Sequence, residues 1–518
     1  MTTRNLKPPL TSASYRISSW LPGVMKGEKF AMKCPGPGIL SACVLASTAY
    51  AQIGYVPGPH TSRFRHIVVI FQENRTPDNL FYSLCLTEPC STNPNDSQYN
   101  IQTDGWANKR SGPTIPHPVP LANNYDLAHT HTAFNDMCDL DPQTGECKMD
   151  NAIAIPCSPK EGTTCPSKPQ YKYVDNSQGT VQPYLDLAIQ YGWANYMFQT
   201  NQGPSFPAHQ FIFGGTSAPS AADDAIGTFA AENMNHTGAF GAGGIAGCIA
   251  PIDTTVQLVN SAGVEDPGQR IYPCFEHKTI PDVLPPNHAV TWRYYAPSAG
   301  SIWTAPDAIE HICKSSGYSG SCEGKEFTNN VDLKPTDVLT DIGKCKLRDL
   351  SWIIPSGANS DHAKGNDGGG PSWVASIVNA IGHSNCEAGT GYWNDTAIIV
   401  TWDDWGGWYD HVPPKFLLYP QGGYQLGFRV PLLFISAYTP KHYINNSPHD
   451  FGSILRFIEG NFGIKQGVLG FADERASDNF AGFFDQSRPP RRFKTIAAPV
   501  DANFFINDKR PPTDPDDQ

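Results

Sequence analysis

The chain has 518 residues, of which 40% are hydrophobic and 11% aromatic, enough to bury a large core, and this composition excludes a disordered or collagen-like chain. Lys and Arg number 37 against 49 Asp and Glu, so the formal net charge is −12, which disfavours bulk nucleic-acid binding. After residue 51 no apolar run approaches the roughly 18 residues of a membrane span, so we expect no stable membrane insertion.

The N-terminal segment has the pattern of a secretory signal sequence. Within residues 25–51, lysines precede a modest apolar stretch, and Ala49 to Ala51 supplies an A-x-A cleavage site. Prolines in the segment would interrupt the alternative, a buried N-terminal helix. We predict residues 1–51 to be an N-terminal extension and signal peptide, with Met1 or Met25 as the true start, and the mature protein to be secreted or periplasmic.

The apolar runs and periodicities that follow predict an α/β fold. In chain order they indicate a strand at 65–71, helices at 184–190 and 372–382, strands at 396–401 and 431–436, and a closing helix at 453–459. Strands of continuous apolar character that alternate with helices predict a mostly parallel sheet covered on both faces.

Two long Gly-, Pro- and Asn-rich stretches, 85–175 and 218–346, separate these elements, and we predict them to be excursions from a single domain at residues 52–506. Residues 507–518 form a polar, Pro-rich tail that need not be ordered.

The cysteines support an oxidising compartment. The chain has 14, and removal of the signal segment leaves an even number, 12. There is no C-x-x-C motif, which favours disulfides over a zinc site. Short spacings mark four candidate pairs, with the connectivity left open by sequence alone: Cys85/Cys90, Cys138/Cys147, Cys157/Cys165 and Cys313/Cys322.

Acidic and amide side chains follow two predicted strands. Glu73 and Asn74 come after the first, and Asp403 and Asp404 come after the strand at 396–401. In open α/β sheets, ligands bind beyond the carboxyl ends of the strands. Neighbouring carboxylates repel unless a cation or proton lies between them, so the set predicts a divalent metal of open identity, with a nearby histidine admitting Zn²⁺ or Mn²⁺. Each pair alone also fits solvated loop residues.

A third candidate is Ser205, which stands between Pro204 and Pro207. A serine fixed in a stiff turn is a candidate nucleophile. By composition alone, Ser205 is equally an ordinary turn residue.

In this order the pieces resemble the phosphoesterase family that contains non-haemolytic-type bacterial phospholipases C and a group of acid phosphatases. The family patterns E-N-R-x-F-D, G-P-[T/S]-x-P-N-R, S-E-H-P and D-[E/D]-x-G-G-x-Y-D-H-V-P-P, with a final G-F-R-V-P segment, are matched in order by residues 73–78, 203–209, 360–363, 403–414 and 427–431.

The chain departs from these patterns at four places. Pro77 replaces Phe, Ala208-His209 replaces Asn-Arg, Asp361 replaces Glu and Ala363 replaces Pro. The second departure predicts the loss of a phosphate-facing arginine.

The resemblance implies an alkaline-phosphatase-like α/β fold with one metal-centred site. The implied metal ligands are Glu73, Asn74, Ser205, Asp403 and Asp404. Ser205 would attack phosphorus and form a phosphoserine intermediate. His129 and His362 would stabilise the transition state and protonate the leaving group.

The family divides broadly into phospholipases C with a threonine nucleophile and further C-terminal modules, and acid phosphatases with serine. Ser205, and a chain that stops shortly after the core, favour a broad phosphomonoesterase. Phospholipase C is the alternative, and a secreted binding protein without chemistry is a third reading that the retained ligand set disfavours. The expected partner is a phosphate-ester small molecule or phospholipid and no nucleic acid, with the oligomeric state open.

Overall fold

The structure is a computed structural model that describes residues 62–236, 245–285, 290–414 and 426–513, all within a compact unit assigned to Gly54–Gln518. The predicted signal segment lies outside the described residues, and the predicted domain boundaries stay predictions. Part of the predicted tail is described, and there Arg510 pairs with Asp367 at 2.9 Å.

The strands are short, with seven residues at most. In chain order they are β1 His66–Gln72, β2 His117–Val119, β3 Tyr125–Leu127, β4 Cys157–Pro159, β5 Lys172–Val174, β6 Gly192–Met197, β7 Phe229–Ala230, β8 Asn235–His236, β9 Thr254–Val259, β10 Glu265–Ile271, β11 Trp292–Tyr295, β12 Val331–Asp332, β13 Leu350–Ile353, β14 Thr396–Trp402, β15 Leu432–Ser436 and β16 Tyr443–His449.

The helices confirm the three predicted from periodicity. Each begins two residues earlier than predicted, and the last also ends two residues later. In chain order they are α1 Pro77–Leu80, α2 His131–Cys138, α3 Gln182–Gln190, α4 Ser205–Gly214, α5 Ala221–Ile226, α6 Ile280–Val283, α7 Glu310–Cys313, α8 Lys325–Asn330, α9 Asp337–Gly343, α10 Gly370–Gly382, α11 Phe451–Asn461, α12 Phe471–Arg475 and α13 Ala502–Asn507. Among the described residues no helix is long and apolar enough to cross a bilayer.

An eight-stranded sheet forms the centre, in the order β12-β11-β13-β1-β14-β15-β6-β16. Every pairing is parallel except those of β15, which runs antiparallel to both β14 and β6. All residues of β1 and β14 are buried, as expected for central strands covered on both faces. The predicted α/β fold with a mostly parallel sheet is therefore confirmed.

Helices supply the apolar cover. On α10, Trp373, Ile377 and Ile381 recur at the four-residue spacing of one helical face and are all buried. Burial of each such side chain stabilises the fold by about 1.5–3 kcal/mol. Helix α11 begins at the Asp450 N-cap, which accepts from the Ser453 backbone N–H in a capping box.

The second predicted excursion differs from expectation because it contributes to the central sheet. Strands β11 and β12 lie within residues 218–346 and form one edge of the sheet. They are four and two residues long, and β11 carries Arg293 between aromatic residues. Runs this short and mixed carry no recognisable strand periodicity, which is why the sequence did not indicate them.

All 12 cysteines of the described residues pair into six disulfides, and the four neighbouring pairs proposed from spacing are confirmed. The other two are Cys248–Cys274 and Cys345–Cys386, with sequence separations of 26 and 41. The last bridge ties the end of the second excursion to the segment after α10.

The bridges should differ in their effect on stability according to loop length. Loop-closure entropy gives about 4 kcal/mol for a 41-residue loop and about 2.6 kcal/mol for a 9-residue loop. We expect the double variant Cys345→Ala/Cys386→Ala to lose more free energy of unfolding than Cys138→Ala/Cys147→Ala, measured by urea denaturation. Equal losses, or free thiols at these positions in the purified protein, would contradict this account.

Candidate active site

The register of the two central strands brings the predicted ligands together. In the parallel pairing of β1 with β14, Gln72 lies opposite Trp402, so the residues that follow leave the same edge side by side. The backbone N–H of Asn74 donates to Asp403 Oδ1 at 3.1 Å. Asn74 and both aspartates, Asp403 and Asp404, are fully buried.

Ser205 lies at the same edge of the sheet, after a strand on the other side of β15 from β14. It follows β6, which runs parallel to β14 because both are antiparallel to β15. Its hydroxyl donates to Asp404 Oδ2 at 3.3 Å, and the backbone N–H of Gly406 donates to Asp404 Oδ1 at 2.6 Å.

The sequence interpretation of Ser205 as a turn residue is wrong in its local structure, because Ser205 is the first residue of α4. Pro207 is tolerated there since the first helical N–H groups have no intrahelical partner. The helix N-terminus carries partial positive charge, which favours an anionic group beside Ser205.

His129 orients the amide of Asn74. Its Nδ1 contacts the Leu127 carbonyl at 2.8 Å, and its Nε2 lies 3.1 Å from Asn74 Nδ2. If Nδ1 donates to the carbonyl, Nε2 accepts from the amide, and this leaves Asn74 Oδ1 available to a cation. His129 Nε2 also lies 3.9 Å from Asp404 Oδ2.

His362 borders the same cluster. Its ring centroid lies 6.0 Å from that of His129, and its Nδ1 contacts the Ala363 carbonyl at 2.7 Å. Trp303 packs beside it, with ring centroids 6.2 Å apart. The structure thus brings all seven predicted site residues into one buried region.

One residue of the region was missed as a site residue by sequence reasoning. His209 Nε2 lies 3.3 Å from Glu73 Oε1 and 3.9 Å from Asp403 Oδ2. Burial lowers its pKa to about 4, against the opposing effect of the Asp403 charge. Its position four residues after Ser205, on the same face of a helix, was the available signal, but it required recognising that Ser205 opens a helix.

Asp361 supports the segment that carries His362. Its Oδ2 accepts from the Tyr184 hydroxyl at 2.9 Å and from Trp402 Nε1 at 3.0 Å. Burial raises the pKa of Asp361 to about 6, with Arg75 opposing the rise. Arg75 Nε also donates to the Asp361 carbonyl at 2.9 Å, so this strand-end loop is held on both sides.

A second acidic group lies in the same connecting segments. Asp78 Oδ2 contacts His411 Nδ1 at 2.7 Å, and the three residues Asp78, Asp410 and His411 have metal-ligand spacing. The guanidinium of Arg429, fully buried, pairs with Asp410 at 2.9 Å and with Asp78 at 3.3 Å. The cation of this group is therefore arginine, and the group joins the segments after β1 and β14.

The predicted ligands fit a divalent metal. Among the described residues, Asn74 Oδ1 and Asp403 Oδ2 are buried without a hydrogen-bond partner, which is costly unless something else binds them. One ligand atom from each of Glu73, His209 and Asp403 lies within 4.8 Å of the others. Carboxylate, amide and imidazole donors in this arrangement suit a divalent cation.

Gly406 makes the close approach to Asn74 possible. Asn74 has a positive φ of 61°, and a Cβ on Gly406 would lie 2.4 Å from the Asn74 carbonyl oxygen. We expect Gly406→Ala to displace Asn74 and lower metal affinity at least about 10-fold, measured by titration of chelated protein, because supporting contacts of metal ligands typically contribute this much.

Gly105→Ala is the matched control, since Gly105 has φ +62° but no atom within 4 Å of the added carbon, so it reports strain alone. Equal metal affinity in the two variants would contradict a role of Gly406 in holding Asn74.

A buried cluster of metal-binding character next to a serine, at the carboxyl edge of a mostly parallel sheet, is the arrangement that a metal-dependent hydrolase of phosphate esters requires. The family comparison agrees. The model described as the Phosphoesterase family matches residues 64–465, and the chain belongs to that family.

Several relatives are named phospholipase C. The chain is similar to phospholipase C A of Mycobacterium tuberculosis (strain CDC 1551 / Oshkosh), at 23% identity over 90% of this chain and 87% of the relative. It is 30% identical to the non-hemolytic phospholipase C of Burkholderia pseudomallei (strain K96243), over 26% of this chain and 21% of that protein.

Among solved structures, a protein in the alkaline phosphatase superfamily from Vibrio parahaemolyticus matches at a TM-score of 0.33 and 10% identity, covering 84% of this chain and 73% of that one. A likeness this distant does not define the fold by itself.

Proposed function

We propose that the chain is a metal-dependent phosphoesterase in which Ser205 is the nucleophile. The observation that carries the proposal is the contact of Ser205 Oγ with Asp404 Oδ2, inside a cluster that also holds Glu73, Asn74 and Asp403. Serine is a weak nucleophile unless its proton is accepted or its oxygen is activated, and this contact offers the first of these.

Glu73, Asn74, Asp403 and Asp404 would hold the cation, together with the Ser205 oxygen. When bound, the metal supplies positive charge that offsets the negative charge of the phosphoryl oxygens and activates an oxygen nucleophile. The neighbouring carboxylates also need that charge, because they repel one another without it.

Ser205 would attack phosphorus, so that a new phosphorus–oxygen bond forms and the bond to the ester leaving group breaks. The serine proton passes to Asp404, and the N-terminus of α4 stabilises the oxygens of the transferred group. His362 would protonate the departing oxygen through Nε2, as an imidazolium whose Nδ1–H stays on the Ala363 carbonyl. His129 would hold the Asn74 side chain by accepting from its amide. Water then attacks phosphorus and gives a proton to His362, the bond between phosphorus and the Ser205 oxygen breaks, and Asp404 returns its proton to that oxygen, which restores the hydroxyl.

The first candidate substrate class is phospholipid, cleaved at the head-group phosphodiester. Support comes from the relative named phospholipase C, which aligns with 90% of the chain. Small phosphomonoesters, preferred on the sequence, are the second candidate, and their support is the serine at position 205 where related lipases are expected to carry threonine.

The test is a matched panel of p-nitrophenyl phosphate, bis-p-nitrophenyl phosphate and phosphatidylcholine vesicles, assayed with defined metals after chelation. Ser205→Ala provides the background rate for each substrate. Turnover of phosphatidylcholine with release of phosphocholine supports a phospholipase C, and turnover of the monoester alone supports the phosphatase. Absence of turnover of every substrate, with and without each metal, would overturn the proposal in favour of a binding protein.

We also propose that the protein acts in an oxidising compartment, after removal of the N-terminal segment. Six disulfides support this. N-terminal sequencing of the protein recovered outside the cytoplasm should begin near Gln52, and recovery of the full-length reduced chain in the cytoplasm would contradict it.

A further inference from the structure

The position that carries arginine in the family pattern carries His209 here, and its ring faces the carboxylates of the site. His209 lies one helical turn after Ser205 on α4, and both residues are fully buried. The turn of helix that positions the proposed nucleophile therefore also positions an imidazole.

The geometry of His209 fits a metal ligand better than it fits a partner in an ion pair. Its Nε2 lies 3.3 Å from Glu73 Oε1, within hydrogen-bond range, yet it forms no hydrogen bond among the described residues. His209 Nε2 and Glu73 Oε1 are thus close but are not aligned for a hydrogen bond. Bonds of about 2.0–2.1 Å to one zinc ion at the tetrahedral angle would separate two ligand atoms by about 3.4 Å.

The contact at Nδ1, on the opposite side of the His209 ring, determines which ring nitrogen can bind a metal. His209 Nδ1 lies 3.4 Å from the Tyr294 hydroxyl, and that hydroxyl donates its own proton to the Trp303 carbonyl at 2.8 Å. The Tyr294 oxygen can therefore only accept, so Nδ1 carries the proton and the lone pair lies on Nε2. Metal-binding histidines are typically held by such a contact at the second ring nitrogen.

Asp403 completes the arrangement. Its Oδ1 accepts from the Asn74 backbone, and its Oδ2, which has no hydrogen-bond partner among the described residues, lies 3.9 Å from His209 Nε2. An imidazole lone pair this close to two carboxylates is repelled by them unless a cation stands between the three groups.

We propose that His209 is a nitrogen ligand of the metal, which makes this an imidazole–carboxylate site that prefers Zn²⁺ or a similar transition metal to Mg²⁺ or Ca²⁺. The inference rests on the proposed metal-dependent function and adds a residue and a metal class to it. Imidazole suits transition metals, whereas Mg²⁺ and Ca²⁺ select oxygen ligands.

The test compares metal binding without reference to turnover. Chelated wild type and His209→Gln are titrated with Zn²⁺ and with Mg²⁺, and the Mn²⁺-loaded proteins are examined by pulsed EPR for coupling to a bound ¹⁴N nucleus. We expect His209→Gln to lose the ¹⁴N signal and at least about 10-fold in Zn²⁺ affinity, while Mg²⁺ affinity changes by less than about 3-fold.

Two further variants keep the result interpretable. Tyr294→Phe removes only the hydroxyl that receives Nδ1–H, and it should weaken Zn²⁺ binding by about 10–100-fold even if His209→Gln does not fold. His383→Gln is the control, because His383 is exposed and contacts Thr495 through Nε2.

A ¹⁴N signal that survives in His209→Gln, or a Zn²⁺ to Mg²⁺ affinity ratio that is unchanged in Tyr294→Phe, overturns the inference and leaves the proposed function intact. A wild type that binds no metal and turns over phosphate esters nonetheless overturns the metal dependence and this inference together.

Discussion

Ser205→Ala is expected to lower turnover by at least about 10³-fold, since removal of a nucleophile leaves only slow attack by water. The fold should persist. Among the described residues the Ser205 hydroxyl bonds to Asp404 and not to the backbone of α4, and alanine has the higher helix propensity. Loss of the hydrogen bond to Asp404 should lower the free energy of unfolding by about 1–2 kcal/mol.

The decisive measurement is an acid quench with labelled substrate, followed by peptide mapping. Label is expected on the peptide that contains Ser205 in wild type and on no peptide in Ser205→Ala. Ser205→Thr should retain part of the rate, because threonine offers the same hydroxyl with an added methyl group.

Ser436→Ala is the matched control, since this buried serine contacts Thr439 at the end of β15. Near-normal turnover in Ser205→Ala, or label on another residue, would show that the nucleophile is misassigned.

The parts of the fold that the sequence predicts are those where apolar residues run without interruption. Strands β1 and β14 are buried along their whole length, so their sequences read as apolar runs with the polar site residues immediately after them. Glu73 and Asp403 then lie side by side because the two strands are parallel neighbours and end in register.

Other parts are set by tertiary contacts that no local pattern carries. Strands β11, β12 and β13 have four residues or fewer, and β16 contains Asn445 and Pro448 with an irregular register against β6. The bridge from Cys345 to Cys386 joins segments 41 residues apart, and sequence proximity could not select it.

His209 shows the same limit within the site. Two prolines around Ser205 indicate a turn, although proline is compatible with the first turn of a helix. If residues 204–207 form only a turn, the sequence does not indicate where the His209 side chain lies. With the helix in place, it lies on the face of Ser205 and contacts Glu73 at 3.3 Å.

Asp403→Asn and Glu73→Gln are expected to remove metal and activity together. Each change keeps the shape of the side chain and removes one negative charge that offsets the cation. An asparagine at 403 can still accept from the Asn74 backbone through its amide oxygen, so the local hydrogen bond at 3.1 Å need not be lost. We expect metal affinity to fall at least about 10–100-fold and turnover to fall in proportion to the metal lost.

Metal content by mass spectrometry and turnover, measured on the same samples, check this. Asp367→Asn is the control, because Asp367 is exposed and pairs with Arg510. Full activity with stoichiometric metal in either site variant would refute the assignment of these carboxylates.

The melting temperature provides an independent test, because Asp403→Asn should change it in opposite directions without and with metal. Without metal, Glu73, Asp403 and Asp404 place three carboxyl groups in one fully buried cluster, and their mutual repulsion favours unfolding. Removing one charge relieves it, so chelated Asp403→Asn should melt above chelated wild type. With saturating metal the order should reverse, because a ligand that binds only the folded state stabilises it according to its affinity, and the wild type binds more tightly.

A variant that melts below wild type under both conditions would show that Asp403 stabilises the fold directly, without a metal. The crossing of the two melting orders is therefore the result that separates a metal ligand from a structural carboxylate.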